Sequence, residues 1–262
     1  MDRPDGVRAL LAPLGWDCSD FDIVNVGIFP ELPASTHDLS RDDTWDQIFA
    51  DLRKGEYSAV LAGTPCETAS IARTGPPGPR PLRSPEHIYG LPRDQLTEEE
   101  YQQVRLGTYF ALKTHELMQL CLQLGIPWVI ENPDPSGNPV SLFNLPEWRQ
   151  LAALPGVSAW DFHQCPMGAE TAKPTRMLAW RVDLRGLLGR CTHPAQEWQW
   201  QDHRWRWRTS WGPHPPLKGR RREDGTMATK AAAAYPREMN RRLAVAFSRT
   251  TRGQPLPAGP AS

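Results

Sequence analysis

The sequence contains no long hydrophobic run. Its longest apolar stretches, around Val60 and Ile126, fall far short of the roughly 20 residues that cross a bilayer, so a transmembrane helix is excluded. A cysteine framework is also missing: Cys18, Cys66, Cys121, Cys165 and Cys191 are odd in number, irregularly spaced and preceded by no secretory pattern. That excludes a disulfide scaffold and makes reduced thiols in a cytosolic or nuclear setting the default. Net charge is absent too, because 30 basic residues cancel 30 acidic ones, and no global field advertises a nucleic acid or membrane partner. No internal repeat is visible, and a monomer is the default. What the totals hide is asymmetry. Acidic residues crowd the first third (Asp17, Asp20, Asp22, Asp38, Asp42, Asp43, Asp46), whereas Arg and Lys crowd 204–222 and recur at Arg241, Arg242, Arg249 and Arg252. Proline is plentiful and collects in 75–92, 127–146, 213–216 and the tail after Gly253, which read as loops.

Periodicity organises the first half. Val7, Leu10, Leu11 and Leu14 share one helical face that Gly15 terminates, and a short strand over Phe21, Ile23 and Val24 follows. Trp45 to Lys54 reads as an amphipathic helix ended by Gly55. Tyr57 to Ala62 reads as a buried strand that stops at Gly63-Thr64-Pro65-Cys66. Thr97, followed by three glutamates, caps a long helix that runs to Leu124 before Gly125. Ile126 to Ile130 is a second buried strand, stopping at Glu131-Asn132-Pro133. Two successive helix-then-strand units predict parallel strands with right-handed crossovers, whose C-terminal ends lie together on the ligand-binding edge of the sheet. Cys66 and Glu131 are therefore expected to be neighbours. Beyond Leu154 the pattern weakens, with strands over Trp160 to Cys165 and Met177 to Val182, an aromatic and basic stretch from Trp198 to Trp211 without regularity, and a last helix from Pro236 to Phe247.

Those two strand ends carry the chemistry. A thiol on a rigid turn after a strand can attack carbon, although free cysteine is as often a small buried apolar residue. A carboxyl at the end of an apolar strand is poorly solvated, so its pKa should rise, and in its protonated form it can donate to a ring nitrogen while accepting from an amine.

Gly63-Thr64-Pro65-Cys66-Glu67-Thr68-Ala69-Ser70 resembles the Pro-Cys nucleophile loop of the cytosine-C5 DNA methyltransferase family, and Glu131-Asn132-Pro133 resembles its Glu-Asn dipeptide, in the same chain order. Lys173-Pro174-Thr175-Arg176, after Gln164-Cys165-Pro166-Met167-Gly168, sits where that family contacts the target pyrimidine and phosphate. Ala231 to Pro236 occupies the place of a closing motif at the cofactor pocket. The chain looks closest to divergent phage-like or retroelement-associated members, N-terminally truncated so that the first strand and glycine-rich loop are lacking. The resemblance implies a doubly wound, mainly parallel α/β sheet of the Rossmann-like methyltransferase type, S-adenosylmethionine as cofactor, and DNA or RNA as partner. It implies Cys66, Glu131 and Arg176 as catalytic residues. Asp20, Asp22, Asp38 and Pro65 would face the cofactor, and Asn132, Lys173 and Thr175 the substrate. Arg206 and Arg208 join the substrate set because Arg204, Trp205, Arg206, Trp207 and Arg208 alternate, a pattern that in a strand separates stacking rings from phosphate-binding guanidiniums.

His163, Cys165, Cys191 and His193 form two His/Cys pairs, each with one intervening residue, which is less common than the spacing of zinc knuckles. The stretch from Cys191 to Pro194 reads instead as a turn, and no metal site is expected. Domain organisation follows: a core over 1–154, a target-facing region with closing helix over 155–249, and a disordered tail over 250–262. Two other functions fit the same residues, a non-catalytic nucleic-acid-binding remnant of the fold and a zinc-stabilised interaction module.

Overall fold

The computed structural model describes residues 6–19, 38–73, 78–192, 198–201, 204–207, 214, 219–220, 225, 228–232 and 234–250. The expected strand over Phe21 to Val24 lies outside them, as does the chain beyond Thr250. Helix α1 (Val7–Leu11) gives way at Pro13 to a 3-10 turn, Ala12–Leu14, which ends at Gly15 in the left-handed region (φ 86°). The tighter winding of that turn rotates Leu14 off the apolar face, leaving it 46% exposed where the helical pattern predicted burial. Helix α2 (Asp42–Lys54) begins three residues before the predicted start. Asp42 and Asp43 lie in its first turn and Arg53 and Lys54 in its last, each complementing the helix dipole. Helix α3 (Glu98–Leu124) matches its prediction, with a Thr97–Glu100 capping box at one end and Gly125 (φ 75°) at the other.

Strands β1 (Val60–Gly63) and β2 (Trp128–Pro133) pair in parallel as predicted, with Gly63 opposite Glu131. Strands β3 (Val157–His163) and β4 (Pro174–Trp180) do not continue that pattern. The connection 164–173 is too short to carry a helix over the sheet, so the chain turns back as a hairpin. The order is β1-β2-β4-β3, an open mixed sheet with one parallel and two antiparallel pairings in place of the mainly parallel sheet expected. Strands β3 and β4, which follow residue 154, share this sheet with β1 and β2.

Between β2 and β3 lies α4 (Pro146–Ala152), which the sequence pattern did not reveal. Seven residues are too few to establish a period, but Pro146 starts it and Trp148 and Leu151 anchor it. The buried Trp148 Nε1 donates to Ala111 O on α3 at 2.9 Å. Two of the apolar cores among the described residues pack on the sheet. One, between the sheet and α2, α3 and α4, holds Trp128, Ile130, Met118 and Trp148; the other, with α1 and α6 (Arg237–Thr250), holds Val129, Met177, Leu243 and Phe247. Burial of side chains this large stabilises by about 1.5–3 kcal/mol each. Helices thus cover both faces, and the molecule is α/β.

The stretch predicted to lack strand regularity forms a second, two-stranded sheet, β5 (Trp198–Gln201) with β6 (Arg204–Trp207). Its register sets Trp198 opposite Trp207 and Trp200 opposite Trp205, while Gln199 faces Arg206 and Gln201 faces Arg204. Helix α5 (Ala228–Ala231) precedes α6. Among the described residues no helix is long and apolar enough to cross a membrane.

Candidate active site

The parallel pairing of β1 and β2 delivers Cys66 and Glu131 to the same edge. Cys66 lies three residues past Gly63, in a loop that turns at once into a 3-10 helix, Glu67–Ala69. That loop is fastened from four sides. Thr64 Oγ1 lies 2.9 Å from Thr114 Oγ1 of α3, and Asn132 Nδ2 donates to Thr64 O at 2.8 Å. Asn138 Nδ2 donates to Ala69 O at 2.9 Å, and the buried Arg83 donates to Thr68 Oγ1 through Nε at 3.1 Å and Nη2 at 2.9 Å. Arg83 also donates to Ile88 O and Thr108 Oγ1, and burial lowers its pKa to about 10. Gly107 of α3 lets this cluster approach, since a Cβ there would lie 2.8 Å from Thr68 Oγ1. Neither Arg83 nor Gly107 was read from the sequence as part of the site; a glycine inside an otherwise well-formed helix was the available signal.

Glu131 is buried on the α6 face of β2. Tyr235 O–H donates to Glu131 Oε2 at 3.0 Å, whereas the buried Oε1 accepts no hydrogen bond. Burial raises the carboxyl pKa, against the smaller opposing influences of Lys173 and Tyr235. Gly63 makes room for the Tyr235 contact, because a Cβ there would stand 3.2 Å from the phenol oxygen. Desolvation, followed by the nearby Glu131 charge, pushes the Cys66 thiol up to about 12, and Lys173 pulls it in the other direction.

Lys173 is the third member of this group. Its ammonium lies 5.6 Å from the centre of the Tyr235 ring, and burial lowers its pKa, with Glu131 and Cys66 acting to raise it. The backbone at Lys173 is left-handed (φ 37°) immediately before Pro174, a strained arrangement for a residue with a side chain. Thr175, fully buried, holds it: Thr175 Oγ1 donates to Lys173 O at 3.0 Å and accepts from Gln164 Nε2 at 2.9 Å.

Several predicted site residues are placed elsewhere. The β2–β4 register pairs Arg176 with Asn132 on the α3 face, opposite the face that carries Glu131, and Arg176 Nε and Nη2 bind the Asp161 carboxylate at 2.6 and 2.7 Å. Strand alternation thus separates Arg176 from Glu131. The Asn132 amide is committed to the loop that carries Cys66, and Thr175 braces Lys173. Tyr235, within the stretch Ala231 to Pro236 that the resemblance sets at the cofactor pocket, reaches the Glu131 carboxyl. Asp20, Asp22 and Arg208 lie outside the described residues, and for Arg206 only the backbone is described.

Two cavities flank the group. One of about 270 Å³ follows β1 and is lined by Leu39, Trp45, Phe110 and Thr114 together with Pro65. Asp38, beside it in sequence, turns its carboxylate back to accept from Ser40 N–H at 2.9 Å. The other, about 190 Å³, is lined by Gln164, Lys173, Tyr235, Ala228 and Arg220. Against known proteins, no family model, curated protein or solved structure matches this chain.

Proposed function

We propose that the protein is a cytosine-C5 methyltransferase acting on a base turned out of a nucleic acid strand, built on a Rossmann-like sheet of the methyltransferase type. The observation that carries the reading is the buried Glu131 carboxyl, which rests beside Cys66 and Lys173 with one oxygen bonded to Tyr235 and the other without a partner. In its protonated form, which burial favours, the carboxyl donates to the pyrimidine N3, and its second oxygen accepts from the exocyclic amine. Protonation at N3 drains the ring, so the Cys66 sulfur can add at C6 once its proton has left. The electron pair of the C5–C6 double bond then makes C5 nucleophilic. Lys173, buried next to both groups, favours the thiolate and offsets negative charge growing on the ring. Loss of the C5 proton to solvent, expulsion of sulfur as thiolate and return of the N3 proton to Glu131 restore the base. S-adenosylmethionine, when bound, supplies the methyl group that C5 takes up. The cavity along β1 suits the flat apolar ring of such a cofactor through Trp45, Leu39 and Pro65. No acidic side chain lines it among the described residues, and Asp20 and Asp22 are the proposed partners for the polar end. A basic segment with paired tryptophan positions in β5 and β6 suits a DNA or RNA partner.

The test is transfer of radiolabelled methyl groups to cytosine-containing DNA and RNA. Wild type is expected to turn over, and Cys66→Ser to lose turnover with an unchanged circular dichroism spectrum, because a hydroxyl is a far weaker nucleophile. Full activity in Cys66→Ser would overturn the assignment. One observation favours a second reading, a scaffold that holds the extruded base without methylating it: the Cys66 thiol at about 12 is almost wholly protonated near neutrality. Cytosine-dependent binding by both wild type and Cys66→Ser, without methyl transfer by either, identifies that case.

A further inference from the structure

Three separate stretches of chain bring soft metal ligands together beyond the turn of the β3–β4 hairpin. Cys165 opens the 3-10 turn Cys165–Met167 just after β3, Cys191 follows the chain's exit from β4, and His214 enters from the segment after β6. Their ligand atoms all lie within 4.8 Å of one another, and each residue is half-buried. Both cysteines are reduced. His214 Nδ1 sits 2.8 Å from Glu170 O, and since a carbonyl can only accept, that nitrogen carries the proton and the lone pair belongs to Nε2. A ring nitrogen donating to a backbone carbonyl is how metal-binding histidines are usually oriented. Cys191 is positioned in turn by its own N–H, which donates to His163 Nδ1 at 2.9 Å.

Sequence spacing had paired His163 with Cys165 and Cys191 with His193. The structure uses His163 as a brace, His193 lies outside the described residues, and the imidazole that joins the two thiols is His214. We propose that Cys165, Cys191 and His214 bind a zinc ion that pins the chain around His214 to the hairpin carrying Lys173. Two sulfurs and an imidazole nitrogen select zinc over magnesium or calcium, which demand oxygen. Zinc–sulfur bonds of about 2.3 Å and zinc–nitrogen bonds of about 2.0–2.1 Å set tetrahedral edges of roughly 3.3–3.8 Å, so closure requires only small side-chain adjustments. Water completes the tetrahedron. Each thiol gives up its proton to solvent as its sulfur binds, so affinity rises with pH. The ion's role is positional. Glu170 holds His214 through its carbonyl and Arg220 Nη1 through its carboxylate at 2.9 Å, and it lies three residues before Lys173.

The full chain, purified reduced and anaerobically, loaded with zinc and dialysed against a weak chelator, is expected to retain about one zinc per molecule by elemental analysis. Cobalt in its place should give a sulfur-to-metal charge-transfer band. Cys165→Ser, Cys191→Ser and His214→Ala should each lower retention at least tenfold, and Cys18→Ser should leave it unchanged. The proposal is overturned if loaded wild type keeps only trace zinc, if the triple variant keeps as much as wild type, or if anaerobic protein contains a Cys165–Cys191 disulfide. Should the variants fail to fold, wild type alone decides, because cobalt protein without the sulfur band also rejects the site.

Discussion

The two faces of β2 differ in how they hold their charged and loop-binding groups, although Trp128 Nε1 on the α3 face is itself buried without a hydrogen-bond partner. On the α3 face, Asn132, Thr64, Thr114 and Arg176 all find partners, and Arg83 spends its donors on the loop beneath. On the α6 face, Glu131 keeps one oxygen unpartnered, Lys173 is strained and desolvated, and Tyr235 is held at the carboxylate. Burying polar groups without partners costs stability, and on the proposed reading the second face is where structure has been given up for reactivity, with the first as the frame that supports it.

Four substitutions test that contrast, beginning with the largest effect. Glu131→Gln should cut methyl transfer by about 10²-fold or more, since the amide cannot donate as an acid, yet cost little stability. The sign follows from the raised carboxyl pKa: the folded state holds the proton more tightly than the unfolded one. Its contribution is therefore fully present below the ordinary carboxylate range and is lost as pH rises through the raised value. Urea titrations should accordingly find Glu131→Gln less sensitive to pH than wild type across that window; equal pH dependence would show that the carboxyl is not perturbed. Arg83→Met acts on the frame and should destabilise by about 3 kcal/mol, because Thr68 and the carbonyl of Ile88 lose a buried donor. An unchanged denaturation midpoint would contradict the clamp. Gly107→Ala forces a methyl group against Thr68 and should cost about 2 kcal/mol, measurable in the same titration. Tyr235→Phe removes one hydrogen bond worth about 1 kcal/mol and should shift the basic limb of the pH–rate profile upward, because that bond lowers the Glu131 pKa. A downward shift would reverse the assigned donor role.

Legibility in the sequence followed the same division. Strong local signals were read correctly: the Thr97 capping box, the glycine stops at Gly15, Gly55 and Gly125, and the two strand ends that carry Cys66 and Glu131. Contacts set by tertiary packing were not. Nothing local distinguishes the buried Arg83 from the exposed Arg80, and α4 is too short to show a period. The antiparallel return of β4 depends on the length of the connection 164–173, which is fixed only by where the two strands end. Arg176 lies on the other face from Glu131 for a simpler reason: one step along a strand changes the face, and a motif match carries no information about that step.

Tyr235 stands 104 positions after the carboxyl to which it donates. On the ribosome, the thiol and the acid would be made long before the phenol and before helix α6, which covers the same face of β2, so a nascent chain halted at residue 230 would hold both groups without that cover. Burial of the carboxyl, and with it the rise in its pKa, then waits on the arrival of α6.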